Sequence, residues 1–157
     1  SIYHAPNPGQ PIVSSVNTIT AGVSRYLGNI FKPYATNALS YVRETTDFLR
    51  KLQSTQNFPD NNILATMDVE ALCTNIQHKD GLQTITNTIQ NKEESHIITT
   101  LCDFVLTHNY FTFDNKTYLQ INRTAMETPM APQYSNIFMA DLEQRFVTTA
   151  PRNHFSI

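Results

Sequence analysis

The sequence contains little of what several common function classes require. It has no Trp, two Cys and four Gly in 157 residues, and charged residues make up only 15% of it. Neither cysteine has a second Cys or a His beside it at metal-ligand spacing, so the sequence suggests neither a disulfide framework nor a cysteine-based zinc site. The five histidines are scattered along the chain, so we expect no histidine metal site either. Free thiols favour an intracellular protein.

Long apolar runs are also missing. No run approaches the roughly 18–20 residues of a membrane-spanning helix, and the sequence does not start with a basic segment followed by an apolar one. We therefore expect no membrane partner. The length suits one domain or a piece of a larger protein, and a first residue of Ser rather than Met favours a piece. Nine Phe and seven Tyr can anchor a core, which excludes a disordered tail.

Positive charge is concentrated in the first third of the chain. Residues 1–53 carry five cations against two acids, a net +3, and residues 54–157 carry six against eleven, a net −5. The sequence pI of about 6.2 is far below the roughly 9 typical of a self-sufficient nucleic-acid-binding domain. The basic third could face phosphate, or it could be ordinary solvated surface. The candidate phosphate contacts are Arg25, Arg43, Arg50 and Lys51.

Apolar periodicity predicts two helices in the first third. The first is capped by Thr20, ends before Pro33, and turns Val23, Tyr26, Leu27, Ile30 and Phe31 inward. The second covers residues 40–53. Its inward positions are Val42, Thr45, Leu49 and Leu52, and its outward positions are Arg43, Arg50 and Lys51. A polar loop, residues 54–62, follows it and is the best internal boundary.

The next apolar run, residues 63–69, predicts a central strand that ends in a carboxylate, Asp68. Two covering helices are predicted after it. The first spans residues 81–90 and has its apolar positions at helical spacing: Leu82, Ile85 and Ile89. The second starts from a capping box at Asn91 and Glu94 and turns its apolar residues toward the core: Ile97, Ile98, Leu101 and Val105. A hairpin is predicted around a three-residue turn, residues 114–116. Pro132 is predicted to begin a helix over residues 131–144, whose apolar stripe is Tyr134, Ile137, Phe138 and Leu142.

Spacing alone leaves the role of Asp68 open. A carboxylate at the end of a buried strand can bind Mg²⁺, which prefers oxygen ligands and usually takes one or two protein carboxylates plus substrate phosphates. The alternative is a turn or helix-cap residue, which is the commoner role of an aspartate at a strand end.

Asp68 lies in the first of two longer sequence motifs. Residues 67–76 read MDVEALCTNI and residues 124–143 read TAMETPMAPQYSNIFMADLE. They resemble motifs A and B of the reverse transcriptases of Penelope-like retroelements, whose patterns are close to D-V-x-S-L-Y-T-N-I-P and T-A-M-G-T-x-M-A-P-x-Y-A-N-L-F-M-x-x-L-E. QPIVSS at residues 10–15 resembles that family's fingers segment R-P-I-V-S-G. Residues 41–53 and 106–121 resemble the intervening stretches, so the likeness runs from about residue 8 to residue 143.

The resemblance implies an α+β fold, a right-hand polymerase with residues 1–60 as a fingers-like segment. Residues 61–157 would form a partial palm, with a fingers insertion between motifs A and B. The implied partners are an RNA template, a DNA primer and deoxynucleotide triphosphates, and the implied location is intracellular, including the nucleus. Asp68 and the carbonyl of Val69 would hold Mg²⁺. Further residues are implied to contact the nucleotide: Gln10, Cys73, Gln133 and Asn136.

The sequence departs from the family pattern at sites that would matter for activity. Gln10 replaces an arginine expected to contact the triphosphate, which removes a charge-assisted hydrogen bond. Cys73 replaces the tyrosine that would exclude a ribose 2′-hydroxyl, and Glu127 replaces a glycine. No x-D-D of motif C occurs before the chain ends at Ile157, so the expectation is a fragment truncated before motif C. Mg²⁺ binding is then expected to be weak or absent.

Three hypotheses follow from the sequence. The first is a fragment of an RNA-directed DNA polymerase that does not extend a primer by itself. The second is a non-catalytic nucleic-acid-binding remnant that uses the basic third of the chain. The third is a soluble α+β interaction fold without a nucleic-acid role. The number of subunits is left open by the sequence.

Overall fold

The computed structural model describes residues 18–54, 68–121, 124 and 128–149. Six α-helices and one two-stranded antiparallel sheet lie within these ranges. In chain order the elements are α1 (Ala21–Thr36), α2 (Thr45–Ser54), α3 (Leu72–Asn75), α4 (His78–Thr88), α5 (Lys92–Thr107), β1 (Tyr110–Phe113), β2 (Lys116–Leu119) and α6 (Ala131–Thr149). The expected α+β class is confirmed at this level, as a mostly helical fold with one small sheet.

The first half of α6 lies at the centre of the hydrophobic core. It packs against α1, α4 and the short α3, and α5 covers α1 and α4 from the other side. Tyr134 is 1% exposed and its ring centroid lies 6.5 Å from that of Phe31 on α1. The remaining core is aliphatic and comes from all the long helices except α2; it includes Leu27, Ile85, Ile98, Val105 and Ile137.

Helix α1 is confirmed, but two details of the sequence prediction were wrong. It continues past Pro33 to Thr36, because Ala35 on its last turn is buried against the core. The carbonyl that Pro33 leaves without a helical partner belongs to Asn29, which is exposed and can be hydrated. Tyr26 was predicted inward and lies on the surface, because the buried stripe also uses the small residues Ser24 and Gly28.

Helix α2 forms, but it begins at Thr45 and not at residue 40 as predicted, and none of its residues is buried. Leu49 and the preceding Val42 were expected in the core, and both are exposed. Asp47 organises the start of this helix, since its carboxylate accepts a hydrogen bond from the backbone N–H of Arg43. The amphipathic pattern therefore predicted that a helix forms here, but it wrongly predicted that the apolar face of this helix is buried.

The predicted central strand, residues 63–69, falls mostly outside the described residues. Its last two members, Asp68 and Val69, are described, and they lie exposed in an irregular segment before α3. The strand prediction is therefore wrong for these two positions. Helix α3 itself has no counterpart among the sequence predictions, since four residues are too few to show a helical period.

The middle of the chain follows the sequence closely. Asn91 caps α5 as predicted, and its side-chain oxygen accepts from the backbone N–H groups of Glu93 and Glu94. Ile97, expected inward, is exposed instead. The hairpin is confirmed with a two-residue turn at Asp114 and Asn115, both with positive φ, so the predicted three-residue turn is wrong.

Helix α6 extends beyond residue 144, where its predicted range ends, and its buried residues all lie in its first half. It runs to Thr149, and Tyr134 and Ile137 are buried as predicted, whereas Leu142 is on the surface. In the part of the chain that the structure describes, no helix has both the length and the apolar character needed to cross a bilayer.

Candidate functional site

The segment that starts at Asp68 is open to solvent. Asp68, Val69 and Glu70 are all exposed. Ala71, the N-cap of α3, has φ 53° and ψ 42°, a left-handed conformation that costs a residue with a Cβ about 1–2 kcal/mol. This turn redirects the chain into α3 and leaves Asp68 at the surface, ahead of residues that pack against α6.

Cys73 connects that segment to the start of α6. Its thiol lies 3.0 Å from the hydroxyl of Ser135, 62 residues away in sequence. Its carbonyl oxygen accepts a hydrogen bond of 3.3 Å from the backbone N–H of Thr124. Two contacts from one residue thus join the segment that resembles motif A to Thr124, ahead of α6, and to Ser135 in the first turns of α6. Both residues belong to the segment that resembles motif B.

Helix α1 supports the same loop from the other side. The backbone N–H of Met130 donates a buried hydrogen bond of 3.1 Å to the hydroxyl of Ser24. A Cβ at Gly28 would lie 3.0 Å from the carbonyl oxygen of Pro129, so the close approach of loop and helix requires a glycine or a small local shift. The position of the α6 start is therefore fixed by contacts to α1 and to Cys73.

Within the described part of the chain, three buried polar atoms around the α6 start have no hydrogen-bond partner: Thr124 Oγ1, Gln133 Oε1 and Tyr134 Oη. Burial raises the pKa of Tyr134 well above its usual value, and the nearby Cys102 raises it further. The Thr124 hydroxyl is close enough to lower that pKa slightly, but the two hydroxyls do not form a hydrogen bond of normal geometry. Unpaired buried polar atoms are uncommon, and they mark this region as more polar than an ordinary core.

The residues expected to contact nucleotide occupy different environments. Cys73 is half-buried beside Ser135, and Asn136 is exposed on the next position of α6. Gln133 lies on α6 as well, but its side-chain oxygen is buried rather than open to a ligand. Gln10 lies outside the described residues. The structure therefore brings Cys73 and the start of α6 together, and it exposes Asp68 and Val69 on the segment leading to them.

The four candidate phosphate contacts are all on the surface. Arg25 is on α1, and Arg43 precedes α2. Arg50 and Lys51 lie on α2 within 3.8 and 3.6 Å of the carboxylate of Asp47. The backbone N–H of Arg43 and the charge of Lys51 hold the pKa of Asp47 below its ordinary value. Asp47 therefore offsets part of the positive charge that these side chains would offer to a phosphate.

Asp68 and Val69 are the described residues that the resemblance assigns to magnesium. Across residues 18–54, 68–121, 124 and 128–149, no group of three or more His, Cys, Asp or Glu side chains is arranged to hold a metal ion. Asp68 supplies one exposed carboxylate and Val69 a backbone carbonyl. Such a set fits Mg²⁺ only when the phosphates of a nucleotide complete the coordination sphere.

Sequence reasoning missed the residues that position this site. Ser24 and Ser135 make its connecting hydrogen bonds, and Thr124 donates the third. The role of Ser24 could have been predicted from the sequence, because a hydroxyl on the apolar stripe of a helix needs a buried hydrogen-bond partner. The role of Ser135 could not have been predicted in this way, since its thiol partner, Cys73, is 62 residues away in sequence.

Comparison with protein-family models, with curated protein sequences and with solved structures gives no match to this chain.

Proposed function

We propose that this chain is part of an RNA-directed DNA polymerase domain of a Penelope-like retroelement, covering the fingers and the first part of the palm. The support from sequence is the order of the segments that resemble the fingers, motif A and motif B. The support from structure is that the last two of these segments are neighbours in space. A polymerase site needs that proximity, because motif A supplies the metal ligand and motif B lies under the nucleotide.

The contact of Cys73 with Ser135 and Thr124 is the observation that carries the proposal. Nothing in the local sequence requires these residues to meet, and both contacts fall inside the two motifs. Asp68 lies five residues before Cys73 and is exposed, so its carboxylate is available to a ligand. Asn136, the residue after Ser135, presents an exposed amide on the same helix.

In the proposed site Asp68 and the carbonyl of Val69 would hold Mg²⁺ together with the triphosphate. The chemistry that a bound divalent ion would supply there is activation of the primer 3′-hydroxyl and stabilisation of the leaving pyrophosphate. The chain's own residues position the nucleotide: Asn136 offers an amide, and Cys73 borders the sugar. A single carboxylate supplies little metal affinity, so this chain alone does not extend a primer under the proposal.

The experiment is binding of a fluorescent DNA-primer–RNA-template hybrid, with and without the complementary deoxynucleotide triphosphate and Mg²⁺. We expect the nucleotide to tighten hybrid binding through Asp68, and Asp68→Asn to remove that gain. Asp103→Asn is the matched control, because Asp103 is an exposed carboxylate on α5. A gain that survives Asp68→Asn, or that responds equally to Asp103→Asn, contradicts the proposed site.

A second candidate is a non-catalytic nucleic-acid binder, favoured by the exposure of the cations of α2. The side chains of Arg50 and Lys51 are 74% and 49% exposed. Under this reading Arg50→Ala with Lys51→Ala weakens hybrid binding and lowers its salt slope by about one per lost phosphate contact, while Asp68→Asn changes nothing. Lys92→Ala, an exposed lysine on α5, is the control. If the chain binds neither the hybrid nor a metal ion, the remaining hypothesis is the soluble α+β interaction fold without a nucleic-acid role.

A further inference from the structure

The hairpin formed by β1 and β2 exposes large apolar side chains on both of its faces. Tyr110 and Leu119 form a cross-strand pair on one face, and Phe111 and Tyr118 form the next pair on the other. The rings of Phe111 and Tyr118 stack with centroids 5.4 Å apart. Every residue of β2 is exposed, and Ile121 just beyond it is 76% exposed. Among the described elements, no helix packs extensively against either strand.

The base of the hairpin is its best-anchored part. The backbone N–H of Gln120 donates to the carbonyl of Asn109, and the Asn109 amide donates to the Gln120 side chain at 2.9 Å. An uncovered two-stranded hairpin is marginally stable in water. A hairpin with apolar pairs on both faces and an anchored base has surface and backbone groups suited to pairing with another strand.

The register determines which backbone groups of β2 face outward. With a two-residue turn, Lys116, Tyr118 and Gln120 exchange hydrogen bonds with β1, in agreement with the observed Gln120–Asn109 bond. The N–H and C=O groups of Thr117, Leu119 and Ile121 therefore point away from β1. They form an outer edge that can pair with another extended backbone.

We propose that this edge pairs with the same edge of a second copy of this chain, antiparallel about a two-fold axis near Leu119. Residues 116–121 read KTYLQI, a window rich in β-formers, with one charge and no proline, which is the composition that favours strand self-pairing. The two-fold arrangement keeps Lys116 of each copy about 20 Å from its equivalent along the strands, so like charges do not meet. Each apolar face then continues across four strands. The pairing is independent of any polymerase function.

The test is sedimentation equilibrium of the full chain over a concentration series. Leu119→Pro removes an outward N–H without removing a hydrogen bond to β1. Ile121→Lys puts a charge opposite Thr117 of the partner copy, on the same face of the sheet as Leu119. We expect a monomer–dimer equilibrium whose dissociation constant rises at least about tenfold in each variant. Ile97→Lys is the control for loss of apolar surface, because Ile97 is 58% exposed on α5, and it should leave the constant unchanged.

Circular dichroism of each variant checks that the helices remain folded. A wild-type chain that stays monomeric at every concentration overturns the proposal. So does a dimer that Leu119→Pro leaves intact, or one that Ile97→Lys weakens as much as Ile121→Lys does.

Discussion

Replacing Gly81 by alanine should destabilise the protein even though alanine is the better helix former. Gly81 lies in the first turns of α4, beneath the ring of Tyr134. A Cβ there would lie 1.7 Å from the Tyr134 hydroxyl oxygen, 2.4 Å from Cζ and 3.0 Å from a methyl carbon of Ile76. Tyr134 is fully buried between α1 and α4, so its ring has no free direction in which to move.

The magnitude follows from two opposing effects. Overpacking a well-packed core typically costs about 1–3 kcal/mol, and an added Cβ only 1.7 Å from the Tyr134 hydroxyl oxygen places this substitution at the upper end of that range. Alanine regains about 1 kcal/mol of helix propensity. We therefore expect Gly81→Ala to lower the free energy of unfolding by about 2 kcal/mol in urea denaturation. Gly22→Ala is the matched control in α1: nothing lies within 4 Å of its Cβ, and it should be neutral or stabilising.

A double-mutant cycle with Tyr134→Leu isolates the cause. Tyr134→Leu alone destabilises by opening a cavity, but it removes both of the atoms that lie closest to the new Cβ. In that background Gly81→Ala should be neutral or stabilising, which corresponds to a coupling of about 2 kcal/mol or more. An equal cost of Gly81→Ala in both backgrounds would refute the steric explanation.

Three further predictions concern single groups. Ala71→Gly should raise the free energy of unfolding by up to about 1 kcal/mol, because it relieves a left-handed Ala at φ 53°; a loss of stability in urea would contradict this. The backbone N–H of Arg43 lowers the pKa of Asp47 in the folded protein. Ionised Asp47 therefore stabilises α2 at a pH above the pKa of the carboxyl in the unfolded chain, and this stabilisation is lost as the pH falls through the pKa in the folded protein. The effect of Asp47→Ala on α2 amide shifts should therefore shrink in acid, and a pH-independent effect would count against it. Burial raises the pKa of Cys102 to about 12, so a thiol reagent should label Cys73 in the native protein and Cys102 only on unfolding. The buried Cys102 thiol should also stabilise the folded state fully below about pH 9, and progressively less as the pH rises toward 12. Equal labelling rates of the two thiols would be the contrary result.

Local patterns predicted the helices better than they predicted what the helices pack against. Asn91 was recognisable as a cap because its partners are two and three residues away. Phe31 and Ile85 were predicted inward because both lie on periodic stripes. Leu49 and Leu142 lie on equally good stripes and are exposed, because a stripe records that a face is apolar and does not specify what covers it.

The candidate site was predictable only in part. Asp68 was found because a carboxylate after an apolar run is unusual, and its motif gave it a proposed role. The contact between Cys73 and Ser135 joins positions 62 residues apart, which no local pattern encodes. Gly81 gave a weak signal, since glycine inside a helix is unfavourable and suggests a close neighbour, but only the structure identifies Tyr134 as that neighbour.

The most direct test of the proposed site is the paramagnetic effect of Mn²⁺ on the backbone amide signals, which detects even weak binding. If Asp68 holds a divalent ion beside the start of α6, the signals of residues 69–73 and 133–136 should broaden together, and Asp68→Asn should restore them. The signal of Asn115 at the hairpin turn should stay sharp. Broadening that spares residues 133–136, or that persists in Asp68→Asn, would contradict the account.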